Sequence, residues 1–365
     1  MTSIIVIGGG ILGASTAYHL AKQKVKVTLI DRQDLGQASA AAAGIICPWI
    51  SQRRNKKWYE LVKNGAKYYK QLVKELEDLG ETSTGYKQVG AIALQNEEKK
   101  LQKMLERAIA KREEAPEIGE LKILSPEETK LLFPLLSENA ASLYVEGAAR
   151  VDGRAMRDAL IGAAKKLGAE VIYGDAQLAY GAVLVNGKQL VADKIILTAG
   201  AWGNEIPFKL GVDMQVSFQK AQIMHFHIEN EHTGDWPVVL PPTNQYMLTF
   251  EHGKVVAGST YEENTGYDHG VTEEGKLELL ERATSIAETL ESARIEEVRV
   301  GFRPFTPEFL PTIGKVPGFE HIYFANGLGA SGLTAGPFVG SELAKLSTGQ
   351  ETVLDLSLYA PNVKN

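Results

Sequence analysis

The sequence contains one cysteine, Cys47, in 365 residues. No intrachain disulfide can form, and a reducing cytoplasm is the expected location. Basic residues are not in excess: 39 Lys and Arg stand against 45 Asp and Glu, for a net charge of −6. Such a surface is poorly suited to neutralising a run of phosphates, so general nucleic-acid binding is not expected. No run of about 18 apolar residues occurs, which argues against a membrane-spanning helix. The apolar N-terminus also lacks the charged opening of a secretory leader, since Met1-Thr2-Ser3 carries no Lys or Arg. Histidines are few and scattered. His225 and His227 alternate with Met224, Phe226 and Ile228, which reads as one face of a strand without the further ligands a metal site requires.

Glycine is what the chain has in quantity, and it is grouped. The first group follows the β-branched run Ser3 to Ile7 and precedes a helix expected over Ala14 to Lys22. A second strand, Val25 to Ile30, ends at Asp31. The G-x-G-x-x-G spacing of Gly8, Gly10 and Gly13 in this strand–turn–helix–strand unit has a physical reading. Gly8 permits a tight turn, Gly10 lets backbone approach a pyrophosphate, and Gly13 lets the helix pack on the strand. The helix N-terminus then offers free N–H groups and a positive dipole end to the diphosphate. Asp31 can accept both ribose hydroxyls and would repel a 2′-phosphate, which disfavours NADP. NAD and FAD remain equally compatible with this unit.

The length suggests about two domains. Asn55 to Glu77 reads as an amphipathic helix, with Trp58, Leu61, Val62, Tyr69, Leu72, Val73 and Leu76 at helical spacing. Ser125-Pro126-Glu127-Glu128 is a capping box that opens a short helix before Pro134. Arg154 to Leu167 reads as a helix closed by Gly168. From Val212 to Val300 the pattern turns antiparallel, with strands expected at Val216 to Ile228, Tyr246 to Phe250 and Lys254 to Gly258, and a hairpin turn at Glu251-His252-Gly253. A helix is expected over Thr272 to Leu290. A strand at Ile322 to Ala325, a glycine turn and a last helix complete the chain.

Five blocks, in this order, carry a family resemblance: Ile4–Arg32, "SAAAAGII" at Ser39–Ile46, "TAGAWG" at Thr198–Gly203, "GFRP" at Gly301–Pro304 and "NGLGASGLTAGP" at Asn326–Pro337. Over nearly its whole length the chain resembles the D-amino-acid oxidase, glycine oxidase and sarcosine oxidase family of flavoproteins. The resemblance implies an α/β fold: a Rossmann-like FAD-binding domain with an inserted α+β substrate domain containing a mainly antiparallel sheet. The expected division is 1–84, 148–210 and 311–365 for FAD, and 85–147 and 211–310 for substrate.

The same resemblance implies the site residues. Gly8, Gly10, Ile11, Leu12, Gly13, Asp31 and Arg32 would face the nucleotide half of FAD. Ser39, Ala42, Ala43, Gly44 and Ile45 would run along the pyrophosphate and flavin. Ala176 would meet adenine through its backbone. Thr198, Ala199, Gly200 and Trp202 would sit at a strand end beside the cofactor. Gly327, Gly329, Ala330, Ser331, Gly332, Leu333 and Thr334 would present backbone N–H groups and a helix N-terminus to the flavin edge that gains charge on reduction.

Arg303 would lie beside the flavin and hold the substrate carboxylate, and Tyr246 would line the same pocket. An arginine cannot shed its charge, so an ion pair with Glu296, Glu297 or Glu308 is the alternative. The implied chemistry is hydride transfer from the substrate carbon to the flavin, giving an imine that water hydrolyses to a keto acid and ammonia. A neutral bound amine needs no protein base, and no catalytic acid or base is assigned. No cysteine lies near the arginine block and no histidine lies in Ser39 to Gly44, so FAD is expected to be non-covalent. The expected substrate is glycine or a D-amino acid. An N-methyl amine such as sarcosine, or a flavin-binding subunit without turnover, are the alternatives. Oxygen or another electron acceptor completes the reaction, with peripheral membrane association if that acceptor is a quinone; homo-oligomerisation is left open.

Overall fold

The computed structural model describes residues 2–137, 139–179, 181–229 and 232–361. Among these residues two large sheets organise the chain. The first has six strands in the order Thr312–Val316, Phe319–Asn326, Lys194–Leu197, Ser3–Ile7, Lys26–Asp31 and Glu170–Tyr173. All neighbours are parallel except the first pair. Parallel strands covered on both faces are expected to be apolar throughout, and Ile4, Ile5, Val6, Leu29, Ile30 and Ile196 are all buried. The strands Ser3–Ile7, Lys26–Asp31, Lys194–Leu197 and Phe319–Asn326 reach their carboxyl ends on the same side of the sheet, where ligands sit in open α/β folds.

The helix after the first strand begins at Ile11, three residues earlier than the sequence pattern suggests, with Gly10 as its N-cap. The pattern misplaces the start because Gly13 reads as a turn residue. In the fold it is helical, and a Cβ there would lie 1.8 Å from the Gly8 carbonyl oxygen and 2.5 Å from Thr198 Oγ1. The last helix, Gly332–Thr348, packs on this one equally closely: a Cβ on Gly340 would meet Ser15 Cβ at 2.6 Å, and the Ser15 hydroxyl donates to the Pro337 carbonyl at 2.6 Å. The long helix Lys56–Asp78 closes the trio, with Gly65 against the Thr334 carbonyl.

The second sheet has eight strands in the order Arg294–Phe305, Ser217–His227, Lys254–Gly258, Tyr246–Thr249, Val238–Leu240, Ala91–Leu94, Ser142–Val145 and Leu121–Leu124. One pair, Val238–Leu240 with Ala91–Leu94, is parallel and the others are antiparallel. Three of these strands, and the helix Glu98–Arg112, come from a stretch in which the sequence pattern showed only one short helix. The expected helix over Thr272 to Leu290 is Glu273–Ile286 with Thr272 as its cap, followed by a separate 3-10 turn, Glu288–Ser292.

His19, on the first helix, is buried between Ser15 and Tyr68: Nδ1 lies 2.7 Å from the Ser15 carbonyl and Nε2 2.5 Å from the Tyr68 hydroxyl. Burial is the main cause that pushes its pKa from 6.5 down to about 4, partly offset by the Ser15 carbonyl. The unfolded chain therefore takes up this proton before the folded one does. Stability from His19 is complete above pH 6.5 and is lost as pH falls toward 4. Thermal midpoints measured from pH 7 to pH 4.5 are expected to fall, and His19→Gln is expected to flatten that slope. An unchanged slope in the variant would remove His19 as a source of the acid sensitivity.

Candidate active site

One cavity of about 450 Å³ runs from the carboxyl ends of the parallel strands to the face of the second sheet. That volume is in the range of small-molecule and cofactor sites. At one end the chain leaves the first strand at Gly8, whose φ of 105° requires glycine. Its N–H donates to the Ile30 carbonyl at 2.8 Å, which ties the turn to the neighbouring strand. A Cβ at Gly9 would lie 2.8 Å from Asp31 Oδ2, so this turn is also packed against the acid. Asp31 is buried, and both its carboxylate oxygens accept from the Gln37 amide at 3.1 and 3.2 Å. The first helix carries no acidic residue of its own in its first turn, where it faces the cavity. Ser39 Oγ accepts from the Ile11 N–H at 2.9 Å and satisfies one of the free N–H groups.

The long wall is built from backbone and small side chains: Ala42, Ala43, Gly44 and Ile45 on one side, Thr198, Ala199, Gly200 and Trp202 on another, with Leu12, Arg32 and Ala176 toward the Asp31 end. Gly44 has φ 91°, and a Cβ there would lie 1.7 Å from the Val151 carbonyl. The Trp202 ring stacks on Tyr267 at 5.6 Å. Arg32 pairs with Asp34, Glu205 and Asp175, which line the same end of the cavity. Gly327, Gly329, Ala330, Ser331, Gly332, Leu333 and Thr334 line the far end, where the last helix also begins without an acidic first turn. All the residues expected at the site reach this cavity except Gly13. Its role is packing: it faces the Gly8 carbonyl, not the open space.

Arg303 stands in the wall formed by the second sheet. It lies opposite Gln219 in the antiparallel register, and its Nη1 donates to Gln219 Oε1 at 3.3 Å. Its Nη2 is 3.5 Å from the Ser259 hydroxyl, and the guanidinium lies 5.2 Å over the Tyr261 ring. No carboxylate among the described residues pairs with it. Glu297 is taken by Arg299 and Arg154, and Glu296 by Arg294 and His227. Glu308 forms no ion pair with Arg303. The structural pairing considered for this arginine is therefore not made.

Tyr246 lines the same space. Burial pushes its hydroxyl up to about 12, with Ser259 and Arg303 acting in the opposite direction, so it stays a neutral phenol. Cys47 also lines the cavity; burial pushes its thiol up to about 12, which keeps it protonated and unreactive. Gln219, Ser259 and Tyr261 were not identified from sequence. Only the cross-strand register and the loop after Gly258 bring them to Arg303.

A strand-end glycine turn, an acid at the second strand, two helix N-termini with no acidic residue in their first turns and a guanidinium without a carboxylate partner around one cavity define a dinucleotide-dependent oxidoreductase. The chain belongs to the FAD dependent oxidoreductase family DAO, whose model matches residues 3–346. It is 56% identical to the oxidoreductase YurR of Bacillus subtilis, over 99% of both chains. Iminodiacetate oxidase from Chelativorans sp. BNC1 superposes with a TM-score of 0.94 at 40% identity, over 98% of both chains. Glycine oxidase of Pseudomonas putida is 27% identical over 98% of both. The protein is an FAD-dependent enzyme acting on C–N bonds of amine or amino-acid substrates. The residues present fit FAD: both helix N-termini face the cavity free of acid, and the glycine turn leaves Gly10 with only Ser39 Oγ, at 3.4 Å, near its Cβ position.

Asp31→Ala is expected to lower the flavin retained per chain after gel filtration, with little change in the rate of reduction of whatever flavin remains. Full flavin content together with lost turnover would contradict a ribose-binding role for this carboxylate.

Proposed function

We propose that the protein oxidises a small amine bearing a carboxylate on the reacting carbon: glycine, a D-amino acid, or an N-substituted glycine such as sarcosine or iminodiacetate. The observation that carries this reading is Arg303, a half-buried guanidinium in the cavity wall with only neutral partners. A buried charge left without an anion is costly, and a fork of parallel N–H donors fits a carboxylate. The surroundings support it. Arg294, Arg299, Lys220 and Lys254, on the same and adjoining strands, each pair with a carboxylate of the chain. Arg303 does not.

In this reading Arg303 anchors the substrate carboxylate and the neutral Tyr246 phenol donates a second hydrogen bond to it. Fixing the carboxylate fixes the direction of the adjacent C–H, which is the geometric requirement of the reaction. Asp31 takes the ribose, and the N-termini at Ile11 and Gly332 favour the diphosphate and the flavin edge. Bound FAD would supply a two-electron hydride acceptor. The amine proton is released, the new C=N bond takes up water, and C–N cleavage yields a keto acid and an amine. No side chain is assigned as acid or base. Residues 1–84, 148–210 and 311–365 would form the FAD-binding domain, and 85–147 and 211–310 the substrate domain. FAD is held without a covalent bond, so acid or heat should release it into the supernatant of the precipitated chain.

Anaerobic mixing with glycine, sarcosine, iminodiacetate and D-amino acids tests the reading by bleaching of the flavin absorbance. Arg303→Leu is expected to keep its flavin but lose about 2–5 kcal/mol of substrate binding, and Arg303→Lys to recover part of it. Equal losses for amines with and without a carboxylate would rule Arg303 out as the anchor.

A further inference from the structure

Residues 259–271 form a surface loop between the strand Lys254–Gly258 and the helix Glu273–Ile286, and both ends of the loop meet at Gln222. At its start the Thr260 N–H donates to the Gln222 carbonyl at 3.1 Å, and the Thr260 hydroxyl accepts from the Gln222 N–H at 2.9 Å. At its end the Gln222 amide donates to the Thr272 hydroxyl at 2.8 Å and accepts from the Thr272 N–H at 3.3 Å. Gln222 is wholly buried. A loop closed at its base in this way is a compact unit, set by its own side chains.

Two tyrosines on the loop reach the two halves of the site. Tyr261 lines the cavity and lies 5.2 Å from the Arg303 guanidinium. Tyr267 stacks on Trp202 at 5.6 Å and on Phe218 at 4.6 Å, and its hydroxyl donates to the Ala201 carbonyl at 3.2 Å. Ala201 and Trp202 line the cavity. Both tyrosines are half-exposed, so each ring separates part of the site from water.

Each tyrosine is followed by an acid, Glu262 and Asp268, and both acids turn to one ammonium. Lys220 is buried, with Nζ 3.2 Å from Asp268 and 3.8 Å from Glu262. Its backbone also bonds that of Glu262 in both directions at 2.9 Å. The Glu262 carboxylate is further held by the Gln222 amide at 2.8 Å and the Thr260 hydroxyl at 2.7 Å. Among the described residues Lys220 is the one side chain that pairs with Asp268. A buried ammonium needs carboxylates around it, and here both come from the loop. Lys220 itself does not line the cavity.

We propose that Lys220 is a positioning residue that holds this loop as a strap over both ends of the site, and that a carboxylate on Arg303 and the retention of FAD are coupled through it. A carboxylate settling beside Tyr261 restrains the segment whose other ring fixes the wall at Ala201 and Trp202. The coupling acts equally in both directions, as linkage requires. Its substrate arm rests on the amino-acid reading above; the hold of Tyr267 on the cofactor wall does not.

The test follows flavin release from diluted holoenzyme by fluorescence, with and without saturating methoxyacetate, an unreactive carboxylate with an ether oxygen in place of the amine. In the wild type methoxyacetate is expected to slow release at least about fivefold. Without ligand, Tyr267→Ala should release flavin about tenfold faster through the lost ring stacking. Lys220→Met should do so about threefold faster and lose the slowing by methoxyacetate, and Lys220→Arg should restore part of both. Methionine keeps the buried stem and the backbone bonds to Glu262, and thermal midpoints report whether the variant is folded. A merely structural lysine would lower the midpoint and leave the ratio of release rates with and without methoxyacetate unchanged.

Wild-type release from folded Lys220→Met, or the same slowing by methoxyacetate as in the wild type, would overturn the strap. If Lys220→Met does not fold, the same two readings on Tyr267→Ala decide in its place. If methoxyacetate binds the wild type no better than Arg303→Leu by titration calorimetry, the amino-acid reading fails and the coupling with it. The release rates without ligand then still decide the hold on the cofactor wall.

Discussion

Everything at the site depends on one close approach of backbones. The first helix starts so near the end of the first strand that a Cβ at Gly13 would sit 1.8 Å from the Gly8 carbonyl. A side chain there would force the helix away from the sheet, at a cost typical of overpacking, about 1–3 kcal/mol or more. With glycine, the helix N-terminus opens directly onto the cavity, and the strand end of Thr198 is drawn into the same contact. The last helix repeats the arrangement through Gly340 on Ser15, and the long helix through Gly65 on Thr334. Three helices are thus held at backbone distance, and two of their N-termini line one ligand space.

The electrostatics of that space follow from what is paired and what is not. On the second sheet the charges are mostly neutralised within the chain: Lys220 with Asp268, Lys254 with Asp152, Arg299 with Glu297. These pairs leave no free charge for a ligand. Arg303 departs from the pattern, resting on the Tyr261 ring and the neutral Gln219 side chain. A weakly hydrated guanidinium on an aromatic face tolerates partial burial without an acid and stays open to an arriving anion. At the opposite end the Asp31 carboxylate is held by a neutral donor, the Gln37 amide.

Much of the cofactor half was readable because its signals are local. Gly8, Gly10, Asp31 and the run from Gly327 to Thr334 each sit beside a strand or helix whose apolar pattern is unambiguous, and turn chemistry is decided within a few residues. Gly13, read from its spacing as the residue that lets the helix pack on the strand, does that in the fold, against the Gly8 carbonyl and Thr198 Oγ1, and does not line the cavity as the resemblance implied. The substrate half was harder. Ala91–Leu94, Leu121–Leu124 and Ser142–Val145 are short strands that join the sheet far from their sequence neighbours, one by a parallel pairing with Val238–Leu240, so no local period announces them. Arg303 was found through its block, but its partners come from two other places in the chain: Gln219 from the adjoining strand, Ser259 and Tyr261 from the loop after Gly258.

The sequence by itself determined the class of chemistry. A glycine turn of that spacing, ahead of a helix and an acid, has few uses other than cradling a dinucleotide, because backbone conformation and a free helix terminus are properties of adjacent residues. It also determined that a permanent positive charge would be placed in an apolar strand. Only the tertiary structure decided whether that charge was already satisfied. Pairing depends on which carboxylate arrives within about 4 Å, and that is set by strand register and by segments separated by tens to hundreds of residues. The fold brings Gln219 rather than a glutamate opposite Arg303 and gives Glu297 to Arg299.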